Sequence, residues 1–181
     1  MNYKLLWLSL AMFSILVLFL GCSGSEFQEL NEAELKEGLK AFENLWSSIY
    51  NSPPPTAIPI FSEKRHSLNE GWYFYHKIYI SSLSDVYIPV KVYRWKSRYA
   101  LEVFFMNSWG FERYRSGKSF STIARENILS SGEYLIRASR VGPGYYYVVV
   151  DNTDKGWSAT DFDGENDYAV FDIEVYISLI Q

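Results

Sequence analysis

The chain has 181 residues, with 17 Lys and Arg against 21 Asp and Glu, and aromatic residues make up 18% of it. A net charge of -4 excludes the basic footprint that nucleic acid demands, and with it a purely electrostatic hold on anionic lipid. A single cysteine excludes an internal disulfide, so the fold must be stabilised by its core alone.

Residues 1–21 have the anatomy of an export signal: a positive start at Lys4, an apolar run from Leu5 to Leu20, and a small residue, Gly21. The run falls short of the roughly 20 apolar residues that span a bilayer. Val17-Leu18-Phe19-Leu20-Gly21-Cys22-Ser23 resembles the lipobox of prokaryotic lipoprotein precursors, with Phe19 where that family prefers Leu. The resemblance implies that the Cys22 thiol takes a diacylglyceryl group and that cleavage follows Gly21. Cys22 then becomes an N-terminus carrying palmitate-type chains. Each buried methylene contributes about 0.8 kcal/mol, so two or more chains hold durably where one does not. The implied location is the extracytoplasmic face of a cell membrane or outer membrane. Covalent lipid on Cys22 is the only non-protein group expected, with no cofactor and no metal. Without the resemblance, the same stretch reads as an uncleaved anchor or a plain secretion signal.

Residues 22–26 form a tether, and residues 27–50 an amphipathic helix. Leu35, Leu39, Phe42, Trp46 and Ile49 recur at helical spacing, and Asn31 with Glu34 makes a capping box. Glu32, Glu34 and Glu37 crowd the first half, where the helix dipole favours them. The stripe predicts packing against the following domain, or docking on a partner. Residues 51–56 stop the helix, since Pro53, Pro54 and Pro55 remove three amide donors and make a stiff spacer.

Beyond the spacer the period changes to two. Trp72, Phe74, His76, Ile78 and Ile80 alternate with Tyr73, Tyr75, Lys77 and Tyr79; Val86, Ile88, Val90 and Val92 form a second run; Tyr99, Leu101, Val103 and Phe105 a third. Further runs lie near Ser119–Ile128, Glu133–Ser139 and Tyr145–Val150. Ala169, Phe171, Ile173, Val175 and Ile177 make the cleanest. Turn residues punctuate them at Ser81–Asp85, Ser116-Gly117, Ser130–Gly132, Gly142–Gly144 and Asp151–Asp167. The pattern predicts an all-β domain over 57–181: an antiparallel β-sandwich, immunoglobulin- or jelly-roll-like, of about 7–9 strands. Pro89 predicts an edge strand or a bulge.

Val141-Gly142-Pro143 followed by Gly144-Tyr145-Tyr146-Tyr147-Val148-Val149-Val150-Asp151-Asn152 resembles the signature strand of pre-peptidase C-terminal domains. Gly71–Tyr75, Val86–Tyr93 and the Tyr114–Gly117 loop are similar to other parts of that pattern. The resemblance covers about Gly71 to Ile177. It implies a β-sandwich acting as an accessory, binding or stabilising module, with no catalytic residues. Tyr145 or Tyr146, just after a glycine turn, could form a tyrosine corner.

Chemistry-bearing candidates are few. Asp151, Asp154, Asp161, Asp163, Glu165 and Asp167 cluster, but glycine falls fourth in Asp161–Asp167 rather than sixth as in an EF-hand. A solvated acidic turn with little calcium dependence is expected. His66 and His76 read as ordinary surface or strand residues, and no nucleophile elbow, zinc spacing or phosphate loop occurs. Trp109 and Trp157 fall in predicted loops, where such rings contact a protein or carbohydrate ligand or fold back over the domain. The leading expectation is a membrane-anchored, non-enzymatic binding or structural module. A small hydrolase, or an accessory subunit of one, acting on envelope or extracellular polymers is a second reading. An assembly component docking a membrane protein through its helix is a third.

Overall fold

The computed structural model describes residues 52–54, 56–95, 97, 99–158 and 167–180, all within the compact unit Asn44–Gln181. The export signal, Cys22, the amphipathic helix and most of the acidic loop therefore lie outside the described residues. Among those described, no helix is long and apolar enough to cross a membrane.

The order is β1 (Ile58–Leu68), β2 (Trp72–Ile80), β3 (Ser84–Arg94), β4 (Leu101–Asn107), α1 (Ser108–Arg115), β5 (Ala124–Ile128), β6 (Gly132–Val141), β7 (Gly144–Asn152) and β8 (Ala169–Leu179). The strands form two four-stranded sheets, β1-β8-β3-β6 and β2-β7-β4-β5, with every pairing antiparallel. Alternation dictates what each sheet buries. Val86, Ile88, Val90 and Val92 of β3 and Phe171, Ile173 and Val175 of β8 meet Ile78, Ile80, Val103, Phe105, Val148 and Val150 of the other sheet in one core. Fully burying each such side chain contributes roughly 1.5–3 kcal/mol, enough for a domain without disulfides.

Three expectations need correction. β3 is neither an edge strand nor bulged at Pro89: it lies between β8 and β6, and Pro89 stands opposite Leu135. On the β8 side the ladder is interrupted at Ile88 and Pro89 and resumes at Val90 opposite Ile173 in the same register, so the missing amide leaves the strand in place. β1 was not predicted as a strand. Its pairing with β8 shifts between Pro59 and Phe61 and again between Glu63 and His66, where Arg65 has φ 53°, so its apolar residues lose the period of two. Bulges, Pro59 and charged Glu63 and Lys64 suit β1 to its edge position. Residues 108–115, expected to be a loop, form α1.

The tyrosine corner falls to Tyr146, whose hydroxyl donates to Gly142 O at 2.9 Å. The turn into β6 repeats the device, with Tyr134 donating to Ser130 O at 2.9 Å. In both, the glycine two residues before the tyrosine lies beneath the ring: a Cβ on Gly144 would sit 3.5 Å from Tyr146 and one on Gly132 3.5 Å from Tyr134. With φ at 154°, Gly144 also holds a backbone that other residues rarely adopt. Tyr146→Phe keeps the ring packed on Phe105 at 5.3 Å and deletes only the bond. We expect it to lower unfolding free energy by about 1 kcal/mol, measured by urea denaturation.

Candidate functional site: the outer face of the second sheet

The outward residues of β4 and β7 are Glu102, Phe104 and Met106, and Tyr145, Tyr147, Val149 and Asp151. Too much of that surface is apolar to face water, and α1 covers it. Asn107 caps the helix by accepting from the Gly110 amide at 2.8 Å, and Arg113 and Arg115 occupy the last turn, where the dipole favours cations. Phe111 stacks on Tyr147 with centroids 4.0 Å apart and planes 6° from parallel. Tyr114 meets Tyr73 edge-on at 5.2 Å and Phe120 at 5.3 Å. Phe104, Met106, Phe111, Tyr114 and Val149 form a second, smaller core on this side.

Beside that core stands a row of bare rings. Tyr75 and Tyr79 of edge strand β2, Tyr145 of β7 and Trp109 of α1 are between 49% and 60% exposed. Tyr79 and Tyr145 are cross-strand partners with ring centroids 5.0 Å apart. Lys77 Nζ lies 4.2 Å from the Tyr145 ring centre and the Arg113 guanidinium 4.9 Å from that of Trp109. Ser108 Oγ donates to Tyr145 O at 3.3 Å, which ties the start of α1 to this end of β7.

Trp109 and Trp157 are thus both uncovered, but they are not brought together. Trp109 opens α1 beside Tyr145, whereas Trp157 follows the far end of β7 and packs on Phe120 at 4.5 Å and Phe104 at 5.3 Å, with Arg125 4.5 Å from its ring centre. A nine-residue strand separates the two ends, so one small ligand does not touch both. Sequence reasoning missed Tyr79 and Tyr145 as surface candidates, although alternation already placed them on one side of their strands.

Under the Trp157 loop lies a feature the sequence did not suggest. Glu102 and Asp151 are cross-strand partners, each only 1% exposed. Asp151 Oδ1 accepts from Tyr114 Oη at 2.7 Å, Thr153 Oγ1 at 2.7 Å and the Thr153 amide at 3.1 Å. Glu102 Oε2 accepts from the amides of Trp157 at 2.7 Å and Ser158 at 2.8 Å. Asp151 Oδ2 and Glu102 Oε1 have no hydrogen-bond partner among the described residues. Burial pushes the Asp151 carboxyl up to about 6 against its donors from Thr153 and Tyr114, with the Glu102 charge adding to the rise. Burial likewise raises Glu102, opposed by the Ser158 and Trp157 amides. Asp151 is therefore no part of a solvated acidic turn, because the apolar cover of Phe104 and Tyr114 reaches over it. Asp154 is exposed, and Asp161, Asp163 and Glu165 lie outside the described residues.

The outer face of the first sheet is polar, and its charges are paired. Lys64 bridges to Glu174, Lys91 to Glu133 at 2.8 Å, and Tyr93 donates to Asp172 at 2.7 Å. The Lys64 and Tyr176 donors hold Glu174 below the ordinary carboxylate range. Burial pulls Asp172 up, but the Arg65 amide, the Tyr93 hydroxyl and the Lys64 charge outweigh it and leave this carboxyl low. His76 lies flat against Phe61 at 3.6 Å, and burial lowers its imidazole. His66 packs 4.6 Å from Phe74 with Nδ1 3.4 Å from Glu63 Oε1. Ser67 follows it on the strand and points to the opposite side, so that hydroxyl is not presented to the imidazole.

No protein-family model matches this sequence, and no curated protein matches it either.

The sign of the pH dependence follows from these groups. A carboxyl whose folded pKa is raised contributes most below its unfolded value and loses that contribution as pH rises through its folded value. For Asp151 the window runs from about 4 to about 6, with an effect on the order of 3 kcal/mol. Asp172 and Glu174 act with opposite sign at lower pH, and His76 opposes across its own range. The difference between wild type and Asp151→Asn isolates the buried group. Wild type is expected to lose stability relative to this variant as pH rises through about 6, checked by denaturant titration at several pH values.

Proposed function

We propose that this chain is a lipid-anchored, extracytoplasmic, non-enzymatic binding module. Its β-sandwich presents an exposed aromatic face to a saccharide chain. The observation that carries the reading is the row Tyr75, Tyr79, Tyr145 and Trp109, left bare beside rings of the same face that α1 buries. Exposed aromatics grouped on one rigid face mark interaction sites far better than scattered ones. These rings sit on strands and a capped helix, so binding orders little that is not already ordered.

The character of the face points to the ligand class. Tyrosine and tryptophan offer an apolar plane with a polar edge, which suits the flat faces and hydroxyl rims of sugar rings. Lys77 and Arg113 beside them favour a chain carrying acidic groups. A partner helix would instead want an aliphatic groove, whereas this row is made of tyrosine and tryptophan rings with Lys77 and Arg113 beside them.

The anchor rests on the stretch Val17–Ser23 and its resemblance to a lipobox. The two-sheet architecture supports the expectation of a sandwich similar to pre-peptidase C-terminal domains. A short tether and proline spacer before such a domain would hold the face clear of the membrane.

Two experiments test the reading. Cys22→Ser should remove the diacylglyceryl mass increment seen in wild type by intact-protein mass spectrometry and shift the protein out of the membrane fraction. A wild type without lipid would end the anchoring argument. Tyr79→Ala combined with Tyr145→Ala should weaken retardation in gels containing acidic polysaccharide at least tenfold. Both side chains are exposed, so stability should change by less than about 1 kcal/mol. Unaltered mobility of the double variant would reject this face as the binding site.

A further inference from the structure

The Glu102–Asp151 pair calls for an explanation that the aromatic face does not supply. Two carboxylates side by side in an apolar enclosure cannot both stay ionised without compensation. Around them stand Tyr114 from α1, Tyr73 from β2, Arg125 from β5, and Lys155 with exposed Asp154 from the loop. None of these donates to Asp151 Oδ2 or Glu102 Oε1, and both atoms are buried and without a hydrogen-bond partner among the described residues. Lys155 instead lies over the Tyr73 ring at 4.9 Å, and Arg125 over Trp157.

The backbone of Gly156 decides what can fill the gap. A Cβ on Gly156 would overlap Glu102 Oε2 and come within 2.7 Å of Asp151 Oδ2, so the glycine itself is wedged against both carboxylates. That leaves room for a proton and not for a hydrated cation, which would need several further oxygen ligands.

We infer that Glu102 and Asp151 share one proton, and that this proton latches the segment Thr153–Ser158, with Trp157, onto the second sheet. The proton sits on Asp151 Oδ2 and faces the Glu102 carboxylate. Asp151 Oδ1 stays an acceptor for Tyr114 and Thr153, and Glu102 keeps the charge that its two amide donors favour. Loss of the proton leaves two negative charges in a dry site. The relief open to the site is to lift the segment and admit water. Its backbone is tied down by the Trp157 and Ser158 amides on Glu102, by Thr153 on Asp151 and by the Ala100 amide on Ser158 Oγ at 3.0 Å. The two carboxylates that lose the proton receive most of these bonds, leaving the ring packing of Trp157 on Phe104 and Phe120 to oppose release. The protein thereby carries a pH-operated release of Trp157, independent of any ligand on the Tyr79–Tyr145 face.

The test uses the full chain in detergent micelles. Carboxyl-carbon NMR follows Asp151 and Glu102 across the acid and neutral range, and amide hydrogen exchange follows Trp157 and Ser158. The two carboxyls should titrate in separate steps, each visible in the other's curve, with the upper step above the ordinary carboxylate range. Over that upper step the two amides should lose at least tenfold protection beyond the intrinsic change in exchange rate. Glu102→Gln offers an amide in place of the shared proton. Asp151 should then ionise at lower pH, and protection of Trp157 and Ser158 should no longer vary with pH. The inference is overturned if both wild-type carboxyls ionise together in the ordinary range, or if protection stays constant through the upper step. It is equally overturned if the variant releases the amides at the wild-type midpoint, or if added calcium displaces the titration curves. Should Glu102→Gln fail to fold, the wild-type titration and exchange decide the matter alone.

Discussion

Phe104, Met106 and Val149 point outward from a sheet whose other side is already buried, and much of the second sheet follows from that burden. A sheet with one buried face ordinarily alternates apolar with polar, and β4 does not: six of its seven residues, Leu101–Met106, are buried. The chain answers by inserting α1 between β4 and β5, laying Phe111 and Tyr114 over the exposed strip. The same answer buries Asp151 and Glu102, because the cover extends to where β4 and β7 pair across these two residues.

This cover also sorts the aromatic residues. Rings enclosed between the sheet and α1, such as Phe104 and Tyr114, become core, and Tyr147 is partly buried against them. Rings at its margin or past it, such as Tyr75, which touches only the edge of the cover at Phe111, and Tyr79 and Tyr145, stay largely in water. The proposed binding face is the uncovered remainder of an aromatic surface whose middle the fold needs for itself. Its rigidity comes from the neighbouring core, and its cations from the helix terminus and from the polar position between Tyr75 and Tyr79.

The first sheet shows the contrasting solution. Its outer face is charged, and the ion pairs and tyrosine bonds around Asp172 and Glu174 satisfy it without a cover. Exposed pairs of this kind contribute little to stability, but they occupy Lys64, Lys91, Asp172 and Glu174 with one another and with neighbouring side chains. Chemistry is therefore concentrated on the second sheet, where packing rather than pairing governs the polar groups.

Much of this was legible in the residues. Alternation in Val86–Val92, Leu101–Phe105, Tyr145–Val150 and Ala169–Ile177 declared the strands and their buried faces, since a pleated strand repeats every two residues whatever its partner. The glycine turn followed by Tyr145 and Tyr146 declared a corner, because the bond spans only four residues, and the structure assigns it to Tyr146. The outward positions of Tyr75, Tyr79 and Tyr145 were implied by the same period. What the residues did not disclose depends on contacts distant in the chain. β1 was hidden because its bulges answer to β8, more than a hundred residues later. Pro89 was misread because the place of β3 between β8 and β6 is a matter of topology, not of local propensity. α1 was passed over because Gly110 weakens a short helix that only the apolar face beneath it makes worthwhile. Above all, nothing local distinguishes Glu102 or Asp151 from other acids beside a turn. Their burial is set by Tyr114 and Gly156 closing over them, and only the tertiary structure brings those residues to one place.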